Sequence, residues 1–314
     1  MTGSTDRPGR VPDFFIVGHP KCGTTALYEM LRSHPAVFMP ELKETRFFSR
    51  ELHPNTPAET HPQTLEQYLA LFAPAEPGQR AGEASPSYLR SEHAAQRIAH
   101  LAPDARIVAI LREPAGFLNS LHMELMRDHV ETEKDLARAL ADEPRRRAEI
   151  ASRPGLVYAD YVRYVEQLRR YHDAFGRERV LVLIYDDFRA ENEATVRRVL
   201  AHIGVEDAGP LALAEANPSV RVRSPRMNEL VRSLYLGRGP LARAAAAPVK
   251  ALVPQRLRRR GLEAFQRRAV YGAPKPPDPE LMLELRRRYR GEVAALSDYL
   301  GRDLVRLWGY DGID

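Results

Sequence analysis

Three short apolar runs set the strongest limit on how this chain can fold: DFFIVG (13–18), ARIVAILR (105–112) and RVLVLIYDDF (179–188). They are rich in β-branched residues and do not alternate with polar ones, as strands buried on both faces should read. Each is followed by a stretch with helical spacing. TTALYEMLRSH (24–34) places Leu27, Met30 and Leu31 on one face; EPAGFLNSLHMELM (113–126) carries Pro114 in its first turn; NEATVRRVLAHIG (192–204) stops at Gly204. Such alternation predicts an α/β fold with a central parallel sheet flanked by helices. TLEQYLALF (64–72), VYADYVRYVEQLRRYHDAF (157–175) and PELMLELRRRYRGEVAALSDYLG (279–301) add further helices. Their Tyr, Leu and Val stripes read as core packing.

No composition break divides the 314 residues, and a hydrophobic content of 44% is enough for one large domain. The expected unit is a single domain over 1–314, flexible over 1–12 and variable over 205–280. Lys and Arg number 47 against 42 acidic residues, a net charge of +5. The basic runs Arg145–Arg147 and PVKALVPQRLRRR (248–260) have no interleaved aromatic residues, so they read first as solvated helix faces, next as surfaces for anionic substrates or a membrane, and least as a nucleic-acid module, which is not expected. No run approaches the roughly 20 apolar residues of a membrane span, and MTGSTDRPGR has no apolar signal core. A cytoplasmic location is expected. Cys22 is the single cysteine, which rules out an intrachain disulfide and a cysteine-rich metal site.

The first strand runs into GHPKCGTT (18–25). A nucleotide-triphosphatase loop reads G-x-x-x-x-G-K-[ST]. Gly18 and Gly23 keep that spacing and Thr25 keeps the hydroxyl, but Thr24 stands in the lysine's place. The cation has moved to Lys21, after Pro20. Strand, glycine turn and helix N-terminus still offer donors and partial positive charge to an anion. The signature of metal-bound triphosphate is missing. Cys22, between Lys21 and the helix start, is expected to favour its thiolate.

PKCGTTALYEMLRSHP resembles the 5′-phosphosulfate loop of sulfotransferases that use 3′-phosphoadenosine-5′-phosphosulfate (PAPS). The resemblance continues through PELKETRFFS, GEASPSYL, RIVAILREPAGFLNSLHMEL and RERVLVLIYDDFRA, in the family's order, over most of residues 13–205. It is greatest to the branch holding bacterial sulfotransferases and the heparan sulfate sulfotransferase domains. It implies a P-loop-like three-layer α/β fold and transfer of a sulfonate group from PAPS to a hydroxyl or amine of a small-molecule or glycan acceptor, leaving 3′,5′-ADP without a metal. It implies that Pro20, Lys21, Cys22, Gly23, Thr24 and Thr25 cradle the 5′-phosphate, Lys21 stabilising the departing charge. Arg112 and Ser120 match the family's 3′-phosphate site, and Tyr185 a position near the adenine. KETRFF resembles the segment that carries a glutamate base, placing Glu44 in that role with Lys43 and Arg46 beside it.

Several departures qualify the match. GEASPSYL has no histidine, the base of the cytosolic branch, and carries Ala84 where the heparan branch often has lysine. That branch's bridged, basic C-terminal segment is reduced to Gly272 and Lys275 of YGAPKPPDPE; Arg221, with Arg223 and Arg226, is the candidate to cover the 3′-phosphate instead. His19, His53 and His122 are the rival bases. A P-loop kinase-like enzyme and a non-catalytic adenosine-phosphate-binding protein are the alternative functions. The acceptor is expected to meet loops within 45–62, 127–155 and 225–275.

Overall fold

The computed structural model describes residues 9–54, 56–149, 154–206, 221–222, 271–272 and 277–313. The chain divides into two compact units, one of residues 1–118, 140–217 and 282–314 and the other of 119–139 and 218–281.

The first unit holds a five-stranded parallel sheet in the order β2-β3-β1-β4-β5, formed by β1 (Phe14–Gly18), β2 (Val37–Phe38), β3 (Arg80–Ala84), β4 (Arg106–Leu111) and β5 (Val180–Ile184). Phe14–Val17 and Ile107–Leu111 are fully buried, as their continuous apolar runs require. The expected strand 179–188 is shorter than its sequence suggests: pairing stops at Ile184, and YDDF belongs to helix α8 (Tyr185–Ala190). Asp186 and Asp187 fall in that helix's first turn, where acidic side chains suit the amide dipoles.

Helix α1 (Thr24–Arg32) follows β1 and packs against α9 (Asn192–His202); between them in the chain come α2 (Leu65–Ala70), α3 (Ala94–Leu101), α5 (Leu136–Ala141), α6 (Glu143–Ala148) and α7 (Tyr164–Phe175), with α3 packed against α7. Helix α4 (Pro114–Arg127) starts three residues after β4. From β1 the chain departs toward the β2 edge, whereas from β4 it departs toward β5, so the connections of these neighbouring strands diverge. In open α/β sheets such a switch point, at the carboxyl ends of the strands, is where ligands bind. Among the described residues no helix is long and apolar enough to cross a membrane.

In the second unit, Arg221–Val222 pairs antiparallel with Tyr271–Gly272. Most of the expected loop, helix, helix and loop of 205–280 lies outside the described residues, as do Arg223, Arg226 and Lys275.

Candidate active site

The carboxyl ends of β1, β3, β4 and β5 deliver the candidate residues of the first unit. After β1, the loop 19–23 turns into α1. Gly18 lies so close to the chain after β3 that a Cβ there would sit 2.5 Å from the Leu89 Cβ, and Gly23 has φ 84° with Phe188 only 2.8 Å from where a Cβ would be. Both glycines of the motif are therefore demanded by the fold. Lys21 also occupies the left-handed region, at φ 60°, although it has a side chain. Non-glycine residues reach that region at a cost of about 1–3 kcal/mol and cluster at functional sites. Thr24 opens α1 and is buried, whereas Thr25 is exposed. Gly23 provides no side-chain cap, so the first-turn amides of α1 are aimed beyond the helix, as an anion-binding N-terminus requires.

Arg112 bridges the crevice between β4 and β1. Its Nη1 donates to the Lys21 carbonyl oxygen at 3.2 Å, and its guanidinium lies 4.8 Å from the centre of the Tyr185 ring. Tyr164 donates to the Arg112 carbonyl at 2.9 Å, fixing the backbone beneath it. The neighbouring acid is engaged elsewhere: Glu113 accepts from the Ala115 and Gly116 amides and from the Tyr310 hydroxyl. Lys21, Arg112 and Tyr185 are thus brought together, with Gly23 against the same α8 surface.

Glu44 is held from the end of β3, its amide donating to the Ala84 carbonyl at 3.0 Å. It too is left-handed, at φ 63°, as is Arg46 at 57°. Its carboxylate accepts from Lys43 Nζ at 2.7 Å and from Arg46 Nη2 at 3.3 Å, and its side chain remains 38% exposed. Burial alone would raise its pKa; the neighbouring Lys43 charge and hydrogen bond, reinforced by Arg46, reverse that and hold the acid below its ordinary value.

Ser120 is buried on α4, in the second unit. Arg221 is placed only by its backbone pairing; its side chain lies outside the described residues. Cys22 overturns the expectation of a thiolate: it is fully buried, and burial drives its thiol up to about 12 against the opposing charges of Arg112 and Lys21. Desolvation outweighs the helix terminus.

The rival histidines have structural surroundings. His19 is fully buried, its Nε2 paired with Gln167 Oε1 at 2.9 Å and its ring set among Phe117, Tyr161 and Tyr164; burial lowers its pKa to about 4. His122 Nε2 meets the Lys134 carbonyl at 3.3 Å. Burial and the Arg46 and Arg90 charges lower His53 to about 3.

Sequence reading missed the supports. Arg302 makes a bidentate pair with Asp187, Trp308 donates to Asp186 at 2.9 Å and Tyr310 to Glu113 at 2.7 Å, so the end of the chain braces α8 and the β4 exit. Partners more than a hundred residues apart leave no local signal.

The fold is of the P-loop-like α/β class, with its glycine loop at the switch point. The sequence pattern described as the Sulfotransferase family matches residues 12–71 and 44–209, and the chain belongs to that family. Human bifunctional heparan sulfate N-deacetylase/N-sulfotransferase 3 is 32% identical over 114 residues, covering 34% of this chain and 12% of that protein. Mouse heparan sulfate glucosamine 3-O-sulfotransferase 6 is 35% identical over 109 residues, covering 34% of this chain and 29% of that protein. The match therefore spans only 12% and 29% of the length of these curated relatives. The crystal structure of a sulfotransferase from Alicyclobacillus acidocaldarius superposes with a TM-score of 0.65 at 27% identity, over 95% of this chain and 98% of that one.

Proposed function

We propose that this protein is a PAPS-dependent sulfotransferase whose acceptor is a hydroxyl or amine on a small molecule or glycan. The observation that carries the reading is the Arg112–Lys21 bridge at the β1/β4 switch point, where the Arg112 guanidinium donates to the backbone carbonyl of Lys21 in the glycine loop. This donor set suits an adenosine phosphosulfate. PAPS supplies a sulfonate whose bond to the 5′-phosphate oxygen breaks as the acceptor atom bonds to sulfur.

Pro20, Lys21, Cys22, Gly23, Thr24 and Thr25 form the 5′-phosphate cradle. Thr25 contributes an exposed hydroxyl; buried Cys22 and Thr24 act through backbone amides. Lys21 stabilises the negative charge that grows on the departing phosphate. Arg112 takes a phosphate oxygen through its guanidinium fork. By resemblance Ser120 adds a hydroxyl at the 3′-phosphate, Arg221 covers it, and Tyr185 borders the adenine. Glu44 removes the acceptor's proton. Held ionised by Lys43 and Arg46, it is ready to accept at neutral pH. Residues 1–314 constitute one sulfotransferase domain acting in the cytoplasm.

Thermal melts with 3′,5′-ADP and with ATP plus magnesium test the ligand class, since a ligand bound only by the native state raises its melting temperature. Stabilisation by 3′,5′-ADP alone is expected. Stabilisation by ATP plus magnesium alone would establish the kinase-like alternative. Turnover of PAPS against phenols, alcohols, amines and glycans then identifies the acceptor. Binding of 3′,5′-ADP without turnover of any of them would favour the non-catalytic alternative.

A further inference from the structure

Glu83, the penultimate residue of β3, is 1% exposed, and among the described residues no cation pairs with it. Four hydroxyls serve it instead. Thr45 and Ser85 donate to Oε1 at 2.9 and 2.5 Å; Tyr68 and Tyr88 donate to Oε2 at 2.7 and 3.1 Å. An ionised carboxylate has room for four such bonds, so each donor is matched. Burial nevertheless pushes this acid above the ordinary carboxylate range, against those hydrogen bonds. A buried acid is a costly way to fill space, and a fully satisfied polar network specifies geometry that an apolar side chain would leave loose.

What it specifies lies one residue from Glu44. Three consecutive residues of the 44–46 turn are tied to three consecutive residues at the end of β3. Glu44 N–H donates to the Ala84 carbonyl at 3.0 Å, Thr45 Oγ1 to Glu83, and Arg46 N–H to Ser85 Oγ at 3.2 Å. Glu44 and Arg46, on either side of Thr45, both lie in the left-handed region. Beyond the turn, Phe47 stacks on Tyr68 at 4.6 Å and Phe48 meets Tyr68 and Tyr88 edge-on. The tyrosines that donate to Glu83 thus also clamp the downstream side. Released from Thr45, the turn would relax toward ordinary backbone angles and swing the Glu44 carboxylate away from its place.

We propose that Glu83 is a positioning residue that acts through Thr45 to hold Glu44 in the orientation from which it takes the acceptor's proton. The proposal rests on Glu44 being the base.

The test is a double-mutant cycle read by 3′,5′-ADP release from PAPS in the presence of acceptor, with 3′,5′-ADP affinity measured by calorimetry. Thr45→Val removes the link to Glu83 with little change in volume and stands in for Glu83→Gln should that variant fail to fold. Thr45→Val is expected to lower kcat about 10- to 100-fold, the scale of a small misplacement of a reacting group, with 3′,5′-ADP affinity changed by less than about 2-fold. Thr45→Ser, which keeps the hydroxyl, is expected to recover most of the loss. In a Glu44→Gln background, Thr45→Val should cost less than about 2-fold, because groups that act as a unit are not additive. A Thr45→Val enzyme as active as the parent, or one whose loss repeats in full on Glu44→Gln, overturns the positioning role while leaving Glu44 as base. A fully active Glu44→Gln enzyme overturns the base and this proposal with it.

Discussion

Glu44 is the residue whose chemistry the structure constrains most, because Lys43 and Arg46 hold opposite oxygens of one carboxylate. With Glu44 as the proposed base, its depressed pKa is expected to put the acid limb of kcat/KM below the ordinary glutamate value of 4.5, and the rate should be flat through neutrality. A carboxylate accepts a proton only when ionised. Lys43→Ala withdraws the first of the charges favouring that form, so the limb should move to higher pH. A limb unmoved in Lys43→Ala would detach Glu44 from the rate. Cys22 carries the opposite lesson. Its flanking residues, Lys21 and Gly23, suggest an activated thiol; what decides its chemistry is complete burial, which no neighbour in the sequence announces. Iodoacetamide at pH 8 is therefore expected to label Cys22 only after unfolding in urea, with or without 3′,5′-ADP. Rapid labelling of the native protein would contradict that burial. Motif position marks Lys21, Glu44 and Arg112 as candidates, whereas the contacts of Glu83, Tyr164 and Tyr310 come from folded proximity alone.

Among the elements, β1, β4 and β5 could be read from their apolar runs, but β2 and β3 could not. RAGEA contains too little β-branched or aromatic surface to signal a strand. Its composition is explained by its neighbour in the sheet. The Phe14 ring lies across Gly82, so a Cβ on Gly82 would sit 2.0 Å from Phe14 Cζ. Gly82→Ala should thus destabilise the protein by about 1–3 kcal/mol through overpacking, and Phe14→Leu should restore part of the loss in the double variant. Urea midpoints measure both. A Gly82→Ala protein as stable as the parent would mean the Phe14 ring moves aside freely. The end of β5 shows the same limit from the other direction: LVLIYDDF reads as continuous strand, yet Tyr185 starts a helix because Asp186 and Asp187 find partners in Trp308 and Arg302.

At the scale of the whole molecule, folding holds His19 neutral in an apolar box. Its pKa falls from 6.5 to about 4, so the unfolded chain takes up the proton first as pH drops. The stability that His19 contributes is complete above about pH 6.5, declines as pH falls toward 4, and levels off below, a difference of about 3 kcal/mol. His53, lowered to about 3, acts in the same direction. Urea midpoints at pH 7 and pH 5 should show this decline, and His19→Asn should flatten it; an unchanged slope would return His19 to the rival bases. The account's central claim joins the loop, the crevice and the base in one reaction, and it is tested most directly by acceptor-dependent release of 3′,5′-ADP from PAPS by the parent, Lys21→Ala and Glu44→Gln proteins. The account predicts turnover by the parent, a loss of about 10²-fold or more in Lys21→Ala and of about 10²- to 10⁴-fold in Glu44→Gln, with both variants folded and still binding 3′,5′-ADP. Parent-like turnover in either folded variant would contradict it.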